Sequence, residues 1–241
     1  MIKKIFLKYN KDPKENPSSL RCLDFWLSVF ADRDVYIICD MFDPTLKFPK
    51  QFTDYSSCKF INSNYALSDP INHLLVSKRW RNVAASNISC YEKSEFEPFW
   101  LIDADDTMFI TFDISLIKEK IKLAEHYFLE NKLDGFSLDF YRTFKRDHWS
   151  FGVALLQNKH DLINILRSTD LEFFQTLKLP FNLDALFDCN RRQKKLKLES
   201  FIFDNTFFQH QLEQKFLPYG LYKWEDKKLW DMKLNSDIKI F

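Results

Sequence analysis

The sequence predicts an α/β domain built on a mixed, mostly parallel sheet flanked by helices. VYIIC at 35–39 and FWLI at 99–102 are unbroken apolar runs, the pattern of strands buried on both faces. Both runs end on acids, Asp40 for the first and Asp103-Ala104-Asp105-Asp106 for the second. Segments of helical period alternate with the apolar runs, as βαβ units require.

The elements follow in order. IKKIFLKY (2–9) reads as a first strand, closed by a loop carrying Pro13 and Pro17. Ser18 or Ser19 then caps a helix whose apolar face is Leu20, Leu23, Trp26, Val29 and Phe30. With the strand at 35–39 this forms a right-handed βαβ unit. Residues 44–70 are irregular apart from a short strand at 58–61, and a helix spans 73–91 before the acid-tipped strand. A helix at 113–131 follows, opened by Asp113. GFSLDFY (135–141) and FGVALLQ (151–157) read as strands, 161–168 as a helix, 182–195 as a helix with a basic end, and 199–204 as a strand. With 241 residues and no repeat or low-complexity linker, one domain spanning 1–241 is expected.

Composition narrows the chemistry. The net charge of +1 supplies no field for nucleic acid or membrane. Only 3 Gly are present, none before Gly135, and neither G-x-G-x-x-G nor a P-loop occurs, so a bound phosphate must be held by side chains and metal. The five cysteines form no C-x-x-C, which points to reduced thiols and a cytoplasmic setting. No apolar run is long enough to span a bilayer.

Three carboxylates crowded at a strand end repel one another, and a hard divalent cation relieves that conflict. A solvated acidic turn is the alternative. Asp184 and Asp188 stand four apart on a helix and so share a face, as acid/base residues or as partners of Arg191 and Arg192.

The order VYIICDMFD, RNVAASNISCYE, FWLIDADD resembles the GT-A nucleotide-sugar glycosyltransferases, particularly family 2. That family carries a base-binding strand ending in acids, a helix with an ARN element, and a strand ending in D-x-D. The resemblance runs from residue 2 to about 112 and more loosely to about 210. It implies a nucleotide-sugar-binding half at 1–112 and an acceptor-binding half with a C-terminal tail at 113–241. Asp40 is implied to contact the base, Asp103 the ribose and the metal, and Asp105 and Asp106 the metal. Asn87 matches the family's asparagine, while Ser86 replaces its arginine, leaving Arg79 or Arg81 to meet the diphosphate. Each of these also has a plain reading, Asp40 as a loop cap and the arginines as a solvated helix face.

The resemblance further implies a late helix-start aspartate as base, Asp184 before Asp188, and a late histidine, His210, as an extra metal ligand. Lys223 in GLYKW faintly matches a family 8 ending, yet Trp224 replaces its proline and Leu217 its histidine. The implied activity is metal-dependent hexosyl transfer, with Mn²⁺ or Mg²⁺, from a nucleoside-diphosphate sugar, UDP-linked by preference. The implied acceptor is a hydroxyl on a bacterial surface glycan or lipid-linked glycan. The lysines and aromatics of residues 215–241 would suit peripheral contact with the inner face of the plasma membrane, or packing back on the domain. Rival readings are a non-catalytic glycan- or partner-binding relative and a nucleotidyltransferase; the latter's usual Gly-rich loop is missing.

Overall fold

The computed structural model describes residues 1–9, 17–39, 59–62, 78–104, 107–109, 114–138, 140–143, 146–149, 151–157, 162–177, 183–200 and 221–223. Strands are β1 (Lys4–Lys8), β2 (Asp34–Cys39), β3 (Lys59–Asn62), β4 (Phe99–Asp103), β5 (Thr107–Phe109), β6 (Gly135–Ser137), β7 (Phe140–Thr143), β8 (Arg146–Trp149), β9 (Val153–Leu156), β10 (Leu198–Ser200) and β11 (Leu221–Lys223). Helices are α1 (Pro17–Val29), α2 (Lys78–Lys93), α3 (Ile114–Glu130), α4 (Leu162–Ser168), α5 (Leu171–Thr176) and α6 (Leu183–Arg192).

The main sheet has seven strands in the order β10-β6-β9-β4-β1-β2-β3. All pairings are parallel except those of β9, which runs antiparallel to both β4 and β6. Alternation along each central strand sends side chains to two separate cores. Ile5, Leu7, Trp100 and Ile102 face Leu23, Trp26 and Phe30 of the α1 region and Ile117, Ile121 and Phe128 of α3. Phe6, Phe99 and Leu101 face Ile88 and Tyr91 of α2, Ile165 of α4 and Phe187 of α6. Phe99, Trp100, Leu101 and Ile102 are all fully buried, which explains why that run lacks polar alternation.

A buried charge pair lies under α3. Arg33 and Glu125, 9% and 3% exposed, form an ion pair. Trp100 Nε1–H donates to Glu125 Oε1 at 2.9 Å, and Arg33 donates to the Ile2 carbonyl at 2.9 Å.

Glycine is so scarce that lysines close two helices. Lys132 (φ 49°) and Lys194 (φ 57°) take the left-handed position after α3 and α6. The bonds Leu133 N–H to Phe128 O and Lys195 N–H to Asn190 O complete Schellman closures. Cys22, Cys90 and Cys189 are buried thiols, and burial raises the Cys189 thiol above its usual range.

The segment expected as one strand at 135–141 is two. Leu138 N–H still donates to Val153 O at 2.8 Å, in register with the β6–β9 ladder, and from Phe140 the chain forms β7, in a separate hairpin with β8. The expected strand at 58–61 appears as β3, and the helix expected from 73 is described from Lys78.

Candidate functional site

In a parallel sheet the carboxyl ends of the strands share one rim, and β1, β2 and β4 end there. Because β9 is reversed, it starts at that rim, with Val153 opposite Ile102. Asp103 N–H donates to the Gly152 carbonyl at 2.8 Å, and Ala104 N–H to the Lys8 carbonyl at 2.9 Å. Strand ends and the loop before β9 are thus stitched into one ledge.

Asp103 closes β4. Its register partner across the ladder is Lys8, so both side chains leave the same face of the sheet. They meet there as an ion pair, with the Lys8 side chain 7% exposed and that of Asp103 28% exposed. Lys8 was not singled out by the sequence. Its signal was a lone lysine at the tip of the apolar run IFL, a position that reads equally well as a strand end reaching water.

Asp184 lies in the first turn of α6 and is half-buried. Its Oδ1 accepts the Phe151 N–H at 2.9 Å. Since the carbonyl of the next residue, Gly152, binds Asp103, the Phe151–Gly152 backbone links the two acids the sequence placed far apart. Asp188, one turn on, is fully buried. It pairs with Arg191 at 2.6 Å and Arg192 at 2.7 Å and meets the Trp149 N–H at 3.5 Å. Both acids therefore face the same 149–151 segment, as their spacing predicts, but the Asp188 carboxylate is enclosed by two guanidinium groups. The alternative of pairing with Arg191 and Arg192 is the arrangement observed. Trp149, Phe151 and Phe187 pack against one another, with Phe151–Phe187 centroids 4.5 Å apart.

Helix α2 runs back along the sheet, opposite to the strands it connects. Tyr91 packs edge-on against Phe99 at the amino end of β4, centroids 5.1 Å apart. Four strand residues beyond Phe99 advance about 13 Å, which about nine helical residues match. By this spacing the backbone of Asn82 is about level with Asp103, and those of Arg81 and Arg79 lie successively further toward the rim end of the helix. Asn87 is level with Leu101, below the rim and 2% exposed, and its Oδ1 meets no hydrogen-bond donor among the described residues. That depth separates it from the strand ends where the resemblance sets a diphosphate contact.

Asp40, Asp105, Asp106 and His210 lie outside the described residues. Asp40 follows directly on Cys39, the last residue of β2, and Asp105 and Asp106 fall between Ala104 and β5. The tail reaches this neighbourhood, since β11 pairs with β5 and sets Lys223 in register with Thr107. Among the described residues no group of three metal-binding side chains forms, and no helix is long and apolar enough to cross a membrane.

No family model matches the chain, and no curated protein matches it. It is similar to a provisionally named nucleotide-diphospho-sugar transferase from Desulfovibrio desulfuricans G20, at 10% identity and a TM-score of 0.45 over 83% of this chain and 80% of that one. It is also similar to S. aureus TarS 1–349, at 13% identity and a TM-score of 0.43 over 99% of this chain and 67% of that one. At such identities and scores the two add no weight to a functional assignment, which rests on the site.

Proposed function

We propose that this protein is a glycosyltransferase that moves a sugar from a nucleoside-diphosphate donor to a hydroxyl of a glycan acceptor. The observation that carries this reading is the joining of Asp103, at the end of a central strand, to Asp184, at the start of α6, through the Phe151–Gly152 backbone. Glycosyl transfer needs two such centres side by side, one to seat the donor and one to take a proton from the acceptor.

In this reading the rim of β1, β2 and β4 seats the nucleotide, with Asp40 at the base and Asp103 at the ribose. Arg79 and Arg81, on the rim end of α2, receive the diphosphate, whose bidentate oxygens suit guanidinium. Asp184 takes the proton from the acceptor hydroxyl as it attacks the anomeric carbon. The C–O bond to the diphosphate breaks, and the nucleoside diphosphate leaves with the bonding electrons. The Phe151 N–H fixes the rotamer of Asp184, so little reorganisation remains at the moment of transfer. Asp188 pairs with Arg191 and Arg192 of its own helix and meets the Trp149 N–H of β8, and through that last contact it helps keep α6, and with it Asp184, against the strand.

A divalent cation, Mn²⁺ or Mg²⁺, would neutralise charge developing on the departing diphosphate. Asp105, Asp106 and His210 are its proposed ligands on the strength of the sequence resemblance. A hexose donor, a UDP base, a bacterial surface-glycan acceptor and a peripheral membrane contact through residues 215–241 rest on the same resemblance and on the basic, aromatic composition of the tail.

The test is a thermal-shift screen of UDP-, GDP-, CMP- and dTDP-sugars with and without Mn²⁺. Binding to the native state alone raises the midpoint. A metal-dependent rise with one nucleotide supports the reading and names the donor. A well-folded sample that responds to none refutes it.

A further inference from the structure

Lys8 has no role in the site as the sequence drew it. It is 5% exposed, at the tip of the central strand β1, on the face where the rim opens toward α2. A desolvated ammonium is costly, and an ion pair in such a place is commonly no better for stability than well-packed apolar groups. Its partner is the one described carboxylate of the acidic strand tip, Asp103.

We propose that Lys8 is a positioning residue of the donor site, whose buried ammonium fixes Asp103 as the acceptor for a ribose hydroxyl and keeps that carboxylate from ligating the metal. The inference rests on the glycosyltransferase reading and deepens it. A dication bound to the same carboxylate would sit within about 5 Å of the ammonium, where like charges repel strongly in a poorly solvated site. A ribose hydroxyl is neutral, carries a proton to donate, and meets no such repulsion. The sharing of roles implied for Asp103 is thereby divided: nucleoside to Asp103, metal to the acids that follow it.

The inference is tested by two binding measurements, UDP affinity by calorimetry in EDTA and Mn²⁺ affinity by electron paramagnetic resonance without nucleotide. Lys8→Met is expected to weaken UDP at least tenfold while Mn²⁺ binding holds or tightens, because Asp103 is released. A merely structural role would lower both together. Lys8→Arg is expected to restore most of the UDP affinity. Asp103→Asn provides a second variant: it should weaken UDP and leave Mn²⁺ affinity within twofold, unlike Asp105→Asn. Loss of Mn²⁺ from Asp103→Asn to the extent seen with Asp105→Asn overturns the inference while leaving the glycosyltransferase reading intact. So does a Lys8→Met protein that binds UDP as the parent does. A parent that binds neither probe overturns the reading and the inference together.

Discussion

Asp184 and Asp188 lie one turn apart and face the same segment, yet their substitution by asparagine should have opposite consequences. Asp188→Asn removes a fully buried charge from between two guanidinium groups. Breaking a buried ion pair costs about 3–5 kcal/mol. Arg191 and Arg192 are 35% and 36% exposed and can turn toward water, so about 2–3 kcal/mol is the better figure for this site. For a domain of this size that corresponds to a fall of roughly 4–12 °C in Tm. Asp184→Asn keeps an amide oxygen to accept the Phe151 N–H, and its stability should change by less than about 1 kcal/mol. Its transfer rate should fall about 10²–10⁴-fold, the usual contribution of a positioned base. Scanning calorimetry and a donor-turnover assay on both variants decide the matter. Full turnover in Asp184→Asn, or a stability loss there equal to that of Asp188→Asn, would refute the assignment of the two roles.

Four further outcomes are expected. Arg33→Met leaves buried Glu125 with the Trp100 N–H as its remaining partner among the described residues, and chemical denaturation should show a loss of about 3–5 kcal/mol. Gly135→Ala places a Cβ 2.8 Å from Leu198 Cδ2 and 3.1 Å from Trp149 Cζ2, so the buried Leu198 side chain or β6 must give way, at about 1–3 kcal/mol by the same assay. Lys132→Gly and Lys194→Gly relieve left-handed backbone at exposed positions, and each should raise Tm slightly. Asp170 caps α5, and the Phe173 N–H bond holds its carboxyl below the usual range. Its contribution is therefore complete above the ordinary carboxylate pKa and is lost as pH falls through the depressed value. The Phe173 amide shift, followed by NMR through acid titration, should report a midpoint below that of an uncapped aspartate.

The central strands were legible because burial on both faces leaves a signature in the sequence itself. FWLI is apolar throughout since Phe99 and Leu101 serve one core while Trp100 and Ile102 serve the other. Direction leaves no such signature: FGVALLQ reads as a strand, but nothing in it says that β9 runs against its neighbours. GFSLDFY reads as one strand because the period does not change after Leu138, although β6 pairs with β9 and β7 with β8 in a different sheet. The acids of α6 were legible as a pair sharing a face, and their difference was not. Helical spacing to Arg191 and Arg192 marks Asp188 for pairing, whereas the Asp184 partner is a backbone amide distant in sequence. Lys8 was hidden for a related reason, since a lysine at a strand tip is ordinary until its register partner proves to be Asp103.

The reversal of β9 is what makes one site out of two sequence motifs. Were β9 parallel to β4, its amino end would lie at the far edge of the sheet, and the loop before it could not reach Asp103. Running antiparallel, it brings Phe151 and Gly152, just before its first residue, to the rim, where their backbone groups serve different partners. The Gly152 carbonyl takes the Asp103 amide, the Phe151 amide takes the Asp184 carboxylate, and the Trp149 amide meets Asp188. The Asp103 bond is backbone on both sides, whereas Asp184 and Asp188 join through their carboxylates, so the helix start is tied to the strand tip by side-chain acceptors on main-chain donors. In the proposed glycosyltransferase reading this tie brings the donor end and the proposed base to one short stretch of chain before any ligand arrives, the pre-organisation that transfer between two bound substrates demands.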